Sequence, residues 1–503
     1  YGLKVMPHWK ESRVLRRGAR RTIEKDGRVL EYLNAAQHPG EDVFSQIDFA
    51  LRREGLHLEL LRKLLPMLEL SDVTEYVRSK PTGRYSRVIW WLYESFAKQE
   101  LPIPDVVQGN YVNLLDSDLY VVGPVRKVRR QRINVNLLGT VAFSPMVRTV
   151  AVQMHNEDEL RVRCQEIVRE YPPEIFQRAV RFLYAKESRS SHEIERETPE
   201  HRRAEVFIGL LEQAWHRSFL KKEALVEIHR AIVDSRYADP GWRSDRVDDD
   251  RQVYVGETLV SGLERIHYAA PKPDDLDELM SGFLAMAKQI TTRRVRMGEK
   301  EMVIPSSVPT LVAATVVSFA FDFLHPFSDG NGRIHRFLLH HVLARNGFGP
   351  DGIVLPVSAV ILHRPHTYDQ ALESFSRPLM RQVEYTMDER QRMTVMDETV
   401  DFYRYIDCTE AVRIGIEFIR VTVEEELPAE LGYLAAYDEI RSRMREIVDL
   451  PDRIADLFIK LCRQNGGQLS ARKRAVEEFK RLTDEEIAAL ESILKDVLKN
   501  LEV

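Results

Sequence analysis

A histidine, an aspartate and two arginines lie within twelve residues of one another, around a Gly-Asn-Gly sequence. His325 has the residue type of a general base at neutral pH, since its unperturbed pKa is near 6.5. Asp329 offers the hard oxygen ligand that suits Mg²⁺ when the ion is shared with phosphates. Arg333 and Arg336 are three residues apart and share a helix face, where two cations favour an anion between them. The stretch therefore predicts a polyphosphate site.

Two apolar runs must hold these side chains in place. Val308 to Leu324 precedes the stretch, and Phe337 to Leu343 follows it. Proline and glycine between the two runs predict helix, tight turn, helix. Gly330 and Gly332 allow a positive φ and the close approach of a ligand to backbone N–H groups. At the N-terminus of a helix those groups attract anions, so we expect the phosphates to lie there.

The stretch His325 to Arg336 resembles the Fic family signature, His-x-Phe-x-(Asp or Glu)-Gly-Asn-Gly-Arg-x-x-Arg, at every fixed position. Most Fic proteins transfer AMP from ATP to a hydroxyl side chain of a target protein. The resemblance implies a mainly α fold, with an all-helical core and a small β-hairpin flap. It also implies ATP and a target protein as partners, Mg²⁺ as cofactor, His325 as general base and Asp329 as metal ligand. The phosphates would be bound by Gly330, Asn331, Gly332, Arg333 and Arg336.

A second short motif lies upstream. Ser190 and Glu193 form a capping box, which predicts that a new helix begins there. The helix before it is predicted over Glu174 to Glu187. Ser191 and Glu195 are four residues apart, so they share one face of the new helix.

The resemblance to the Fic family implies a role for this motif. In many Fic proteins a helix with the motif Ser/Thr-x-x-x-Glu-(Gly or Asn) is autoinhibitory, and its glutamate pairs with the last arginine of the signature. The resemblance implies an inhibitory helix near residues 190–200, with Ser191 at the first position and Glu195 bound to Arg336. Arg196 stands where the family has Gly or Asn. Two other acidic residues remain open as alternatives for the inhibitory role, Glu193 and Glu197.

A short strand is predicted between the two motifs. Gln252 to Val255 alternates polar and apolar residues, after an acidic loop at Asp248, Asp249 and Asp250. This region resembles the family's flap, which covers the nucleotide and can receive the target segment by strand addition. The residues predicted to dock the target are Val253, Tyr254 and Val255. An ordinary exposed hairpin is the alternative interpretation.

Length and composition limit the number of domains and the class of protein. With 503 residues the chain is expected to form two or three domains. Hydrophobic residues make up 44% and charged residues 30%, as in a soluble globular protein, and the net charge of −5 gives no general reason to expect nucleic acid or membrane. Three cysteines argue against a disulfide framework or a zinc site and favour a reducing cytoplasm. The run Val308 to Leu324 is too short and too polar for a membrane span.

We expect three regions: a basic N-terminal region of mixed or helical structure at 1–155, a Fic domain at 156–390, and a helical C-terminal region at 391–503. In the last, Thr483 is expected to open a final amphipathic helix through a capping box. The N-terminal region contains a basic run between Arg126 and Arg132. Such a run can bind nucleic acid, but a solvated face or an acidic partner is the favoured interpretation.

The sequence favours a protein adenylyltransferase inhibited by Glu195, and it leaves alternatives open. The same site could remove AMP or use another nucleotide donor. The protein could also be a non-catalytic regulator that binds nucleic acid through its basic N-terminal region. The target protein and homo-oligomer formation are not encoded in recognisable motifs.

Overall fold

A computed structural model describes most of the chain, namely residues 1–25, 27–153, 155–196, 201–247, 251–258, 264–297, 300–350, 352–474 and 476–499. The fold is mainly α-helical, with small sheets of two or three strands. In this part of the chain every helix is too short or too polar to cross a membrane. The predicted acidic loop at 248–250 lies outside the described residues.

The N-terminal part combines two small sheets with a group of helices. Its strands are β1 (Lys10–Val14), β2 (Arg21–Lys25), β3 (Arg28–Leu33), β4 (Val112–Asn113), β5 (Arg126–Val128) and β6 (Ile133–Val135). Its helices are α1 (Val43–Arg53), α2 (Leu58–Leu64), α3 (Leu70–Ser79) and α4 (Arg84–Ala97). The strand orders are β1-β3-β2 and β4-β6-β5, each with one parallel and one antiparallel pair. Gly55, with φ +92°, lies between α1 and α2 and ends the helical run that begins at Val43.

The middle of the chain supplies the helices around the signature. They are α5 (Glu157–Arg169), α6 (Pro173–Ile194), α7 (His201–Gln213), α8 (Lys222–Ile232), α9 (Pro273–Ile290), α10 (Thr310–Leu324), α11 (Asn331–Arg345), α12 (Val357–His363) and α13 (Pro365–Met380). Two antiparallel hairpins interrupt them, β7 (Tyr254–Thr258) with β8 (Glu264–Ala269), and β9 (Arg293–Met297) with β10 (Lys300–Ile304). The predicted helix-turn-helix of the signature is α10 and α11.

The C-terminal part continues with one small hairpin and further helices. They are β11 (Tyr385–Met387), β12 (Met393–Val395), α14 (Val400–Arg404), α15 (Thr409–Val421), α16 (Leu427–Ile447), α17 (Asp452–Arg463), α18 (Ala471–Arg474) and α19 (Asp484–Lys499). The predicted capping box is confirmed, since the Glu486 N–H donates to Thr483 Oγ1 at 3.2 Å and the Thr483 N–H donates to Glu486 Oε2 at 2.8 Å.

Buried apolar side chains form three clusters. The central cluster surrounds α10, in which every residue except Asp322 is buried, and it extends as far as Leu431 in α16. A second cluster lies in the N-terminal part around Trp90, and a third lies in the C-terminal helices around Phe458. α10 thus has the burial expected of an apolar run without a polar face. The domain boundaries stay a prediction.

One helix prediction was wrong. α6 does not end near Glu187 with a new start at Ser190, because it runs unbroken from Pro173 to Ile194. Ser190 is 6% exposed and lies within the helix, so it caps nothing. Glu187 and Ser191 are one turn apart on the same helix and are both buried, so tertiary packing continues the helix through a local capping signal.

Candidate active site

α10 ends at the histidine of the signature. His325 is the C-cap of α10, with φ 47° and ψ 57°, a left-handed conformation that costs a non-glycine residue about 1–3 kcal/mol. The contact of 3.2 Å between its Nδ1 and the carbonyl of Asp322 assigns the proton to Nδ1 and leaves Nε2 as the acceptor. Burial, followed by the charge of Arg243, lowers the pKa of His325 to about 4. His325 is therefore neutral at pH 7 and can take a proton at Nε2.

A buried arginine from a distant part of the chain holds the turn after α10. Arg243 Nε donates to the His325 carbonyl at 2.9 Å, and the Arg243 backbone N–H donates to the Pro326 carbonyl at 2.8 Å. Its Nη1 donates to the Arg251 carbonyl at 3.0 Å, and its Nη2 donates to the Pro271 carbonyl. Burial lowers the pKa of Arg243 to about 10, because its hydrogen bonds go to carbonyls rather than to a carboxylate. These bonds hold the backbone of the turn at His325 and Pro326.

The loop between α10 and α11 is fixed on both sides. The Phe327 ring stacks on His229, with centroids 4.0 Å apart and planes at 4°. The buried Asp239 accepts hydrogen bonds from the Ser328 N–H at 2.6 Å and the Ser328 hydroxyl at 3.0 Å. Asn331 bonds the Phe327 backbone twice, with Oδ1 accepting at 3.1 Å and Nδ2 donating at 2.8 Å. Asn331 therefore shapes the loop, and its predicted contact with a phosphate stays a prediction.

The start of α11 places a carboxylate at an open helix N-terminus. Gly330 is the N-cap, with φ 77°, and a Cβ there would lie 2.9 Å from Val233 Cγ2. Asp329 accepts a hydrogen bond from the Gly330 N–H at 2.6 Å, and its other oxygen lies 3.6 Å from Nη2 of Arg333. Its side chain is 57% exposed. One open carboxylate fits Mg²⁺, which proteins commonly hold by one or two carboxylates together with substrate phosphates. Within the described ranges no group of three metal-ligating side chains is assembled.

The last arginine of the signature meets the upstream motif. The Arg336 side chain is 1% exposed. Its Nε donates a hydrogen bond to Ser191 Oγ at 2.8 Å. Its Nη2 donates to the Ser191 carbonyl at 2.8 Å and to Glu195 Oε1 at 2.7 Å. Burial raises the pKa of Glu195, but Arg336, with smaller effects from Arg333 and His325, brings it below its ordinary value. A Cβ on Gly332 would lie 2.2 Å from Glu195 Oε1. The carboxylate therefore occupies the anion position at the N-terminus of α11.

The sequence around this site matches a known protein family. A model of the Fic/DOC family matches residues 219–343, which include α10, the loop and most of α11. This chain contains a Fic/DOC domain. It is 30% identical over 171 residues to a protein of Culex quinquefasciatus named protein adenylyltransferase Fic, a match that covers 32% of this chain and 27% of that protein. The chain thus spans little more than a quarter of that relative. A crystal structure of a Fic family protein from Desulfovibrio desulfuricans G20 aligns with 68% of this chain and 86% of its own, at 18% identity and a TM-score of 0.32.

A left-handed turn follows Glu195 at the end of α6. Glu195 is the C-cap of α6, and the next residue, Arg196, has φ +57°. Gly and Asn adopt this left-handed conformation most easily after a helix. Arg196 makes the same turn at a cost in backbone strain, while its N–H donates to the Glu193 carbonyl at 2.9 Å. Of the alternative acids, Glu193 is exposed on α6, and Glu197 lies outside the described residues.

α6 is fixed against the Fic core one turn before Ser191. Glu187 is fully buried, and it lies 2.8 Å from Nε2 of His340 in α11. Its other oxygen accepts a hydrogen bond from the Ser358 N–H of α12 at 2.9 Å. Burial raises the pKa of Glu187, but the charge of His340 and these hydrogen bonds lower it overall. Glu187, Ser191 and Glu195 thus follow one face of α6 along α11.

The predicted flap is a two-stranded hairpin beside this site. β7 begins at Tyr254, and the Val253 carbonyl accepts a hydrogen bond from the Ala270 N–H at 3.0 Å. A bulge lies between Val255 and Gly256. The other strand contributes Tyr268, whose hydroxyl donates to the Phe323 carbonyl and whose ring centroid is 6.4 Å from that of His325. Target docking by Val253, Tyr254 and Val255 stays a prediction.

Three residues of the site were missed from the sequence. Arg243 and Asp239 lie beside Pro240 and Gly241, whose residue types indicate a turn but assign no role to their neighbours. Asp322 was considered only as a polar residue that weakens a membrane span. It lies one turn before His325, and burial, followed by the charge of Glu195, raises its pKa to about 7. The signal available for Asp322 was an ionisable residue in a helix that otherwise has none and that leads into the signature.

Proposed function

We propose that this protein transfers AMP from ATP to a Tyr, Ser or Thr hydroxyl of a target protein. One observation carries the proposal: a single loop brings together a neutral His325 with Nε2 free, an open carboxylate and an anion position beside a buried arginine. Arg336 Nη1 is buried without a partner among the described residues, and it lies 3.3 Å from the position of a Cβ on Gly332. An unpartnered guanidinium N–H at a helix N-terminus suits a phosphate oxygen.

The bonding changes follow from these groups. The target hydroxyl oxygen forms a bond to the α-phosphorus of ATP, and the bond from that phosphorus to the bridging oxygen of the β-phosphate breaks. His325 Nε2 takes the hydroxyl proton, and pyrophosphate leaves with the bonding pair. General-base help of this kind is worth about 10²- to 10⁴-fold in rate. Gly330, Gly332, Arg333 and Arg336 would bind the phosphates.

Mg²⁺ would be held by Asp329, and it would neutralise phosphate charge. The negative charge of the bound nucleotide would also raise the pKa of His325 from about 4 toward neutrality, which makes the imidazole a stronger base in the complex.

We further propose that Glu195 inhibits the transfer. Its carboxylate oxygen lies where a phosphate would approach Gly332, and it engages the guanidinium that would hold the γ-phosphate. The Glu195 side chain is 36% exposed, so solvent screens the ion pair, and we expect a contribution of about 1 kcal/mol. A contact of that size can be displaced without unfolding the domain.

The test is label transfer from α-³²P-ATP with Mg²⁺. We expect Glu195→Gly to raise self-labelling above that of the unaltered protein, and Glu195→Gly with His325→Ala to abolish it. Glu193→Gly is the matched control, because it puts the same residue into the last turn of α6 without touching Arg336, and it should leave labelling unchanged. The absence of labelling in every variant, with ATP bound, would contradict AMP self-transfer. Equal gains in the Glu193 and Glu195 variants would contradict inhibition by Glu195.

A further inference from the structure

A cleft lies where the N-terminal part meets the Fic core, away from the signature. It encloses about 830 Å³. Five segments form it: the end of α4, the start of β5, the end of β6 with the loop that follows it, the end of α9 and the segment before α10. Its polar lining residues are Ser95, Lys98, Arg126, Thr140, Lys288, Gln289, Thr291, Ser306 and Ser307. We call it the basic cleft.

The charges of the basic cleft are all of one sign. Lys98, Arg126 and Lys288 are exposed, and none of them has an ion pair or a side-chain hydrogen bond with a residue that the structure describes. No carboxylate is among the described lining residues. Lys98 helps to lower the pKa of Glu278, but the main cause is Arg404, which holds both Glu278 oxygens at 2.9 and 2.7 Å.

This concentration of charge does not reflect the chain as a whole, whose net charge is −5. The half-buried Arg130, in contrast, is paired with Glu94 and Asp105. Three unpaired cations around one concave surface repel each other unless an anion lies between them. The exposed Lys127 and Arg129 continue the positive surface along β5 and its turn. The cleft is therefore complementary to an extended anion rather than to a single small ion.

We infer that the basic cleft binds the phosphodiester backbone of a nucleic acid. Hydroxyl groups of Ser95, Thr140 and Ser307 lie among the cations, and hydroxyl, lysine and arginine donors are the usual partners of backbone phosphates. Trp91 is the aromatic residue of the lining, and it is only 6% exposed, so it offers no face on which a base could stack. Binding should therefore be electrostatic and independent of base sequence.

The basic cleft is separate from the catalytic loop. Ser306 and Ser307 lie just before α10, and His325 follows its last residue. The helix has 15 residues, so the two sites are about 22 Å apart along its axis. Nucleic-acid binding should therefore persist in His325→Ala and does not depend on AMP transfer.

The test is fluorescence anisotropy of the full chain with labelled 20-nucleotide single-stranded RNA, single-stranded DNA and duplex DNA. Three cations on a single strand predict a slope of about −2 for the logarithm of the binding constant against the logarithm of salt. Binding should weaken about 20-fold between 50 and 200 mM salt. All three probes have a phosphodiester backbone, and comparing their binding constants shows which kind of nucleic acid the cleft binds.

Two triple variants test whether the basic cleft is the binding site. The first, Lys98→Gln, Arg126→Gln and Lys288→Gln, should lose most binding and flatten the salt dependence. The second, Lys460→Gln, Lys473→Gln and Lys499→Gln, makes the same change in net charge at exposed positions of the C-terminal helices and should bind like the unaltered protein. Equal losses in both variants, no binding at 50 mM salt, or tighter binding of a polyglutamate peptide than of any nucleic acid would overturn the inference.

Discussion

Arg196→Gly should tighten autoinhibition rather than relieve it. Arg196 holds a left-handed conformation, φ +57°, immediately after Glu195, and this costs a residue with a Cβ about 1–2 kcal/mol. Glycine removes that cost but loses about 0.5–1 kcal/mol of backbone entropy when the turn forms. The net gain for the inhibited form is about 0.5–1 kcal/mol, which is about a 2- to 5-fold shift in the equilibrium.

The assay is the initial rate of self-labelling from α-³²P-ATP, with Arg196→Ala as the matched control. Alanine removes the same charge and most of the side chain but keeps the Cβ, so it does not relieve the left-handed strain. We expect labelling to fall 2- to 5-fold in the glycine variant relative to the alanine variant. In a Glu195→Gly background the two should label at the same rate, because the inhibitory carboxylate is then absent.

Two results would refute this reasoning. If Gly and Ala at position 196 label equally in the unaltered background, the left-handed turn does not limit the inhibited state. If glycine increases labelling, it destabilises the inhibited state relative to the released state. Strain at Arg196 would then not be what weakens inhibition.

Three further predictions concern the catalytic loop. Arg243→Gln, in the Glu195→Gly background, should lower AMP transfer more than 10-fold and move the acid limb of its pH profile upward, since the turn and a positive charge beside His325 are both lost; an unchanged rate and profile would contradict this role. In the same background kcat/KM for ATP should stay nearly constant from pH 7 to pH 5.5, because kcat/KM reports the free protein, in which the pKa of His325 is about 4 and the base is lost only as the pH falls through that value; loss of half of kcat/KM near pH 6.5 would contradict it. Gly330→Ala should lower the free energy of unfolding by about 1–3 kcal/mol in thermal denaturation, because φ is +77° and the Cβ would lie 2.9 Å from Val233. Gly349→Ala, which meets nothing within 4 Å, is its control and should differ little from the unaltered protein.

The elements around the site could be predicted where one local signal dominated. α10 and α11 follow from apolar runs separated by proline and glycine, and α19 follows from the Thr483 capping box. The same local rule failed at Ser190, where a capping box lies inside a helix that tertiary packing extends. The hairpin of β9 and β10 was missed because its basic, polar sequence has no alternation of apolar residues.

The contacts within the site also differ in whether the sequence could predict them. The contact between Glu195 and Arg336 joins residues 141 positions apart, yet the sequence contains both charges, and the family motif relates them. The contact between Arg243 and His325 joins residues 82 positions apart and could not be predicted. Its acceptors are backbone carbonyls, which every residue has, so no complementary residue type marks them in the sequence. The carbonyl acceptors also explain the influence of Arg243 on His325. An arginine bound only to carbonyls keeps its full positive charge beside the imidazole. That charge adds to burial in lowering the pKa of His325.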